Sequence, residues 1–215
     1  PEPERLKTGL LGAKLERHSS GYYQIAHLLP AQNWKKERKN PLTQVGVDAS
    51  EDDFIIAING ESTQNMENIY AALVGKAGKA VELTLSSSPN TSGARKEVIE
   101  PLADESELYY YQWIKTNMEK VNKATNGQVG YIHVRDMGPT GLKDFMSNYY
   151  AQLDKKALII DDRGNGGGNV SPMLIERLRR EVTRANMVRG SDAVRHTPGE
   201  MILGPKVLIM NEYSA

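Results

Sequence analysis

The 215-residue chain contains no cysteine. That excludes disulfides, zinc–thiolate centres and a cysteine nucleophile, and it leaves every compartment open. Net charge is also missing: Lys+Arg and Asp+Glu both number 27. The balance argues against nucleic acid or a membrane surface as a partner. No apolar run approaches the roughly 18 residues of a membrane helix. The phosphate-binding pattern GxxxxGK[ST] is absent, and GxGxxG begun at Gly164 fails because Asn169 stands where the last glycine belongs. The chain opens on Pro1, so the lack of a leader peptide carries no weight. With 39% hydrophobic and 25% charged residues, the composition is that of a globular protein, long enough for one large or two small domains.

The most informative stretch is Lys156–Leu178, KALIIDDRGNGGGNVSPMLIERL. Ala157–Ile160 reads as a strand covered on both faces, ending at Asp161 and Asp162. Gly166, Gly167 and Gly168 form a turn. Ser171 as N-cap and Pro172 at the first helical position then open a helix expected to reach Arg184. Val170, Leu174, Ile175, Leu178 and Val182 supply its apolar face. A glycine turn at the carboxyl end of a buried strand aims backbone N–H groups at a ligand. Three readings compete: an oxyanion hole, an S-adenosylmethionine loop matching Asp162-x-Gly164-x-Gly166-x-Gly168, or a tight turn with no ligand.

Residues 1–102 read as a β-rich unit. Gly9-Leu10-Leu11-Gly12-Ala13 opens a strand, Tyr22–Leu29 is a second, and the polar segment 32–43 is a loop. Phe54–Ile58 leads into an Asn59-Gly60 hairpin turn. Met66, Ile69, Tyr70 and Leu73 recur at helical spacing behind an Asn65 cap. Val81–Leu85 and Lys96–Ile99 close the unit. Residues 103–126 read as a connecting helix, with Asp104 and Glu107 as a capping box. Residues 127–215 alternate strand and helix: Gln128–Val134, Gly141–Leu153, Lys156–Asp161, Ser171–Arg184, Pro205–Asn211. That order predicts a mostly parallel sheet. The fold class is α+β overall: a β-rich domain followed by part of an α/β core.

The Gly-Leu-Leu-Gly entry, the run Glu51–Glu61 (EDDFIIAINGE), one helix and a closing strand pair together resemble a PDZ domain. Followed by Gly130-Tyr-Ile-His-Val134, Arg163-x-Asn-Gly-Gly-Gly168 and Asn211-x-x-Ser214-Ala215, the chain resembles the tricorn branch of the tail-specific (C-terminal processing) serine proteases. The resemblance covers almost all of the chain. It implies that Gly167, or its neighbour Gly166, supplies an oxyanion-hole N–H. It also implies that the nucleophilic serine follows Ala215, that a Ser-His pair precedes Pro1, and that an orienting Glu lies far downstream. The 215 residues alone are then inactive. Gly9, Leu10, Leu11, Gly12 and Ala13 correspond to the loop and strand start that hold a peptide carboxylate, with the helix Met66–Val74 walling the groove. An inert spacer or gate is the competing role for that domain.

The resemblance further implies acyl transfer on a peptide or unfolded polypeptide substrate, with no nucleic acid, no membrane, no metal and no organic cofactor. It implies a homo-oligomeric parent, in the cytoplasm or the periplasm. The alternatives are a non-catalytic PDZ peptide-binding module and an S-adenosylmethionine-dependent methyltransferase. The methyltransferase requires an acidic residue ending the next strand, and Glu212 lies too far along. His18, His27, His133 and His196 match no catalytic histidine of the family. Arg163 is expected to pair with Asp161 or Asp162, with steering of a peptide carboxylate as the competing role.

Overall fold

In the computed structural model, which describes residues 7–215, the chain divides inside one helix into Pro1–Trp113 and Ile114–Ala215. The first unit is an antiparallel sheet of β1 (Ala13–Arg17), β2 (Tyr23–Leu28), β3 (Phe54–Ile58), β4 (Glu61–Ser62), β5 (Val81–Ser86) and β6 (Arg95–Ile99). The order is β1-β2-β3-β5-β6, with β4 paired to β3. Asn59 and Gly60 both take positive φ, 51° and 82°, as the two-residue turn between β3 and β4 requires. Leu11, Ile25, Ile55, Leu73, Leu83 and Leu85 meet in a core closed to solvent.

Two sequence expectations change in this unit. The helix Met66–Val74 is instead a five-residue 3₁₀ segment, Ile69–Leu73, whose cap is Asn68 and whose Tyr70 N–H donates to the Asn68 side chain. Asn65 lies at φ 75°, outside the extended region an N-cap occupies. The apolar spacing was real, since Ile69 and Leu73 are buried, but the segment is too short for an α-helix. The polar loop 32–43 is also more ordered than its composition suggests. It holds 3₁₀ turns at Lys36–Arg38 and Pro41–Thr43, and Asn40 is fully buried. Asn40 Nδ2 donates to the carbonyls of Gly12 and Leu29, each at 2.7 Å, and its Oδ1 accepts the Leu42 N–H at 2.9 Å.

The connecting helix α1 spans Ser106–Ala124. It starts three residues later, and ends two earlier, than the expected span 103–126. Asp104 stays outside and accepts both the N–H (2.8 Å) and the hydroxyl (3.0 Å) of Ser106. Glu107 is drawn to Arg38 at 3.4 Å.

The second unit contains β7 (Val129–His133), α2 (Pro139–Tyr150), β8 (Ala157–Asp161), α3 (Ser171–Leu178), β9 (Arg184–Met187), β10 (Val194–Thr197) and β11 (Lys206–Ile209). Strands β11-β8-β7 form a parallel sheet, as strand–helix alternation dictates. Phe145 and Tyr149 of α2 pack with Ile132, Leu158 and Leu174 in its core. Helix α3 is shorter than expected. Its cap is Val170, with no side-chain cap bond, and Ser171-Pro172 lie in the first turn. Leu174 is buried, but Ile175 is half exposed and Val182 lies beyond the helix end. Of the residues expected to extend it, 179–183 are irregular and Arg184 opens the hairpin β9–β10. Every residue of those two strands is exposed, so no inward-facing alternation announces them in the sequence. His196 sits on β10.

Replacing Asn40 by Ala strips partners from buried backbone groups, a loss of about 1–3 kcal/mol. Urea unfolding followed by circular dichroism should show that loss. Lys39→Ala, on the exposed neighbour, should stay within about 0.5 kcal/mol of wild type.

Candidate active site

Parallel strands end at one edge, and β7, β8 and β11 bring His133, Asp161 and Ile209 there together. Asp161 is fully buried. Its carboxylate accepts the Tyr131 hydroxyl (2.6 Å) and the Arg163 side chain, Nε at 2.9 Å and Nη2 at 2.5 Å. The Arg163 N–H adds a bond at 3.1 Å. Burial alone would raise the Asp161 carboxyl, but the bonds from Arg163 and Tyr131 outweigh it and hold the group below its ordinary value. Burial first, and then the Asp161 charge, drive the Tyr131 phenol upward. Asp162 is shifted up, mainly by burial. His133 Nε2 donates to the Arg163 carbonyl at 2.9 Å.

The turn that follows is organised by Asn165, which is 1% exposed. Its Nδ2 donates to the Val134 carbonyl (2.9 Å) and to Asp162 Oδ1 (2.8 Å), while its Oδ1 accepts the Gly167 N–H at 2.7 Å. The Gly166 N–H donates to the Arg135 carbonyl at 3.1 Å. Both N–H groups singled out by the sequence are therefore engaged within the chain. Gly168 is different. It forms a parallel bridge to Met137, made through the Gly167 carbonyl and the Val170 N–H. In a parallel bridge the central residue's own N–H faces away from the partner. Gly168 lies at φ 142°, and a Cβ there would stand 2.2 Å from the Met137 carbonyl oxygen. Only glycine fits.

The last residues dock on this turn. The Ser214 hydroxyl donates to the Asp162 carbonyl (2.8 Å), and the Ala215 N–H to the Asn165 carbonyl (3.1 Å). Asn211 Oδ1 accepts the N–H groups of Gly164 (3.0 Å) and Tyr213 (3.1 Å). A Cβ placed on Gly167 would lie 3.2 Å from that of Ala215. Tyr131, Asn165 and Asn211 stand in the sequence motifs, but nothing in those motifs alone assigns them these positioning roles. An Asn two residues before a glycine, able to take its N–H in an Asx turn, is the signal that marks Asn165.

In the first unit the Gly9–Ala13 segment is likewise largely satisfied. The N–H groups of Gly9 and Leu10 donate to the carbonyls of Leu73 and Leu102, each at 2.8 Å. The Gly12 N–H donates to Glu105 Oε2 at 3.0 Å. The Leu11 side chain is core, and Ala13 begins β1. Of the histidines, His18 bonds Ser20 and His27 bonds Glu51. Among the described residues no cluster of histidine and acidic side chains is arranged to hold a metal ion.

A family model for the tricorn protease PDZ domain matches residues 9–104, and one for peptidase family S41 matches residues 128–215. Tricorn protease homolog 1 of Streptomyces coelicolor is 34% identical over 209 residues, 97% of this chain and 19% of that protein. Tricorn protease of Thermoplasma volcanium is 33% identical over 199 residues, 92% of this chain and 19% of that protein. The crystal structure of the tricorn protease superposes with a TM-score of 0.83 at 28% identity, covering 97% of this chain and 20% of that one. The chain thus spans about a fifth of the length of these relatives.

The Asp161 carboxyl, held below its unfolded value, contributes stability that is present above the ordinary carboxylate range and lost as pH falls through its folded value. Arg163→Met removes the cation and leaves burial to raise the acid, so this acid-linked loss should shrink or reverse: the variant is less stable near neutral pH, and its gap to wild type narrows as pH falls through the carboxylate range. Unfolding midpoints measured across an acid pH series test this; parallel curves for wild type and Arg163→Met would contradict it.

Proposed function

We propose that this chain, which belongs to the tricorn-like branch of the C-terminal processing serine proteases, forms one wall of a serine peptidase centre in a longer protein that cleaves peptides. Residues 1–102 serve as the PDZ-like domain, 103–126 as the connecting helix and 127–215 as the first part of the peptidase core. The observation that carries the reading is the docking of Ala215 on the glycine turn, through its N–H to the Asn165 carbonyl at 3.1 Å. The residue after Ala215 is then delivered beside backbone donors, where an attacking hydroxyl and a developing oxyanion need to sit.

In this reading that next residue is the serine nucleophile. It attacks the scissile carbonyl, a histidine ahead of Pro1 takes and returns its proton, and a downstream Glu orients the histidine. The turn supplies one oxyanion donor. Gly168 is our choice, because Gly166 and Gly167 already donate to Arg135 and Asn165. Asn165 acts on the reaction by positioning. It pins both the glycines and Ala215, so the donor is aimed before substrate arrives. Buried Asp161 anchors the start of the same turn through Arg163.

Two measurements test this. A fluorophosphonate probe should label the longer protein on the residue immediately after Ala215, and the 215-residue chain alone should neither be labelled nor turn over a fluorogenic peptide. Turnover by the chain alone would overturn the assignment. In the longer protein, Asn165→Ala should lower kcat by about 10²–10³ with a smaller change in KM, because the substrate is still bound while the donor is no longer aimed.

A further inference from the structure

The loop Gly9–Gly12 already holds a carboxylate. Gly9 and Leu10 spend their N–H groups on the backbone carbonyls of Leu73 and Leu102. Gly12, in a left-handed conformation at φ 69°, turns its N–H the other way, toward Glu105 Oε2 at 3.0 Å. The Gly12 carbonyl, in the following peptide plane, is fixed by Asn40 Nδ2 and the Leu29 N–H, which holds the far side of the Gly12 Cα in place.

Glu105 reaches the loop across 93 residues of sequence, and its backbone is held there. Leu102 is paired to Leu10 in both directions. Asp104 binds Ser106, and the Glu105 carbonyl accepts the Leu108 and Tyr109 N–H groups that open α1. Burial first, and then the nearby Glu105 charge, raise the phenols of Tyr70, from the 3₁₀ segment, and Tyr109. Among the described residues no cation pairs with Glu105, and the one hydrogen bond to its carboxylate comes from Gly12. It is a half-buried acid held by one N–H, and burial raises its carboxyl above the ordinary value.

We infer that Glu105 is a built-in occupant of the carboxylate loop, so that the N-terminal unit refuses free peptide C-termini until that side chain is withdrawn. An incoming carboxylate needs the Gly12 N–H, which is taken. It must also approach a like charge at contact distance in a partly desolvated site, where repulsion is stronger than in water. The inference rests on the PDZ reading of residues 9–104 and is independent of the chemistry of the second unit. It makes Glu105 a specificity-determining residue. Among the described residues no strand pairs with the outer edge of β1.

The test uses the 215-residue chain on an array of peptides with varied free C-termini, alongside C-amidated copies. Wild type should show no preference for free acids. Glu105→Ala should retain a subset of the free-acid peptides by about tenfold or more over their amides, the scale of one charge-assisted hydrogen bond. Glu105→Gln, which keeps the shape and removes the charge, should fall between the two and decides the matter if the Ala variant does not fold. Free-acid preference in wild type would overturn the inference. So would its absence from a folded Ala or Gln variant. Peptidase activity plays no part in this readout, so failure of the peptidase assignment would leave the result intact.

Discussion

The buried side chain of Asn165 is the interaction on which the site depends. Glycines at the carboxyl edge of a sheet are free to adopt many conformations, and three in succession would leave the turn undefined. Asn165 removes that freedom. One amide ties the end of β7 through Val134, the end of β8 through Asp162, and the turn itself through Gly167. Its backbone carbonyl then receives Ala215. A buried amide left without partners would be costly, whereas one with its donors and acceptor all engaged rigidifies its surroundings.

Below it, Asp161 performs the same service with charge. A carboxylate with no solvent exposure is tolerable only if every oxygen is met, and Tyr131 and Arg163 meet both. Breaking such a pair strands a buried charge, so the end of β8 and the start of the turn are joined in one arrangement. Preorganised donors act on a developing oxyanion without reorganising during the reaction. The stiffness contributed by Asp161 and Asn165 is thus a requirement of the chemistry proposed for the edge.

A recurring local device underlies both units. Asn40 takes the N–H of Leu42, Asp104 that of Ser106, Asp161 that of Arg163, Asn165 that of Gly167 and Asn211 that of Tyr213, each two residues ahead. Side chains of this kind offer the backbone an alternative to helix or strand pairing. They allow irregular segments to be buried, which otherwise leaves polar groups unmatched. The same device delayed the start of α1, since Asp104 bonded Ser106 outside the helix while Glu107 turned to Arg38.

The sequence by itself determined the elements whose physics is local. The apolar run Phe54–Ile58 ahead of Asn59-Gly60 marked β3 and its turn, a two-sided apolar run marked β8, and strand–helix alternation required a parallel sheet whose ends converge. The order of short motifs carried the family. Only the tertiary structure decided which polar groups meet across long separations. Asn40 reads as one more polar residue in a loop, yet it is the buried support of Gly12. Glu105 reads as one more residue of the connecting helix, yet its carboxylate accepts the Gly12 N–H 93 residues earlier. Gly166 and Gly167 look like the donors, but Arg135 and Asn165 have already taken their N–H groups, and Gly168 faces away from Met137. Periodicity reports which side of an element is apolar. The partner of an individual N–H depends on the folded chain around it.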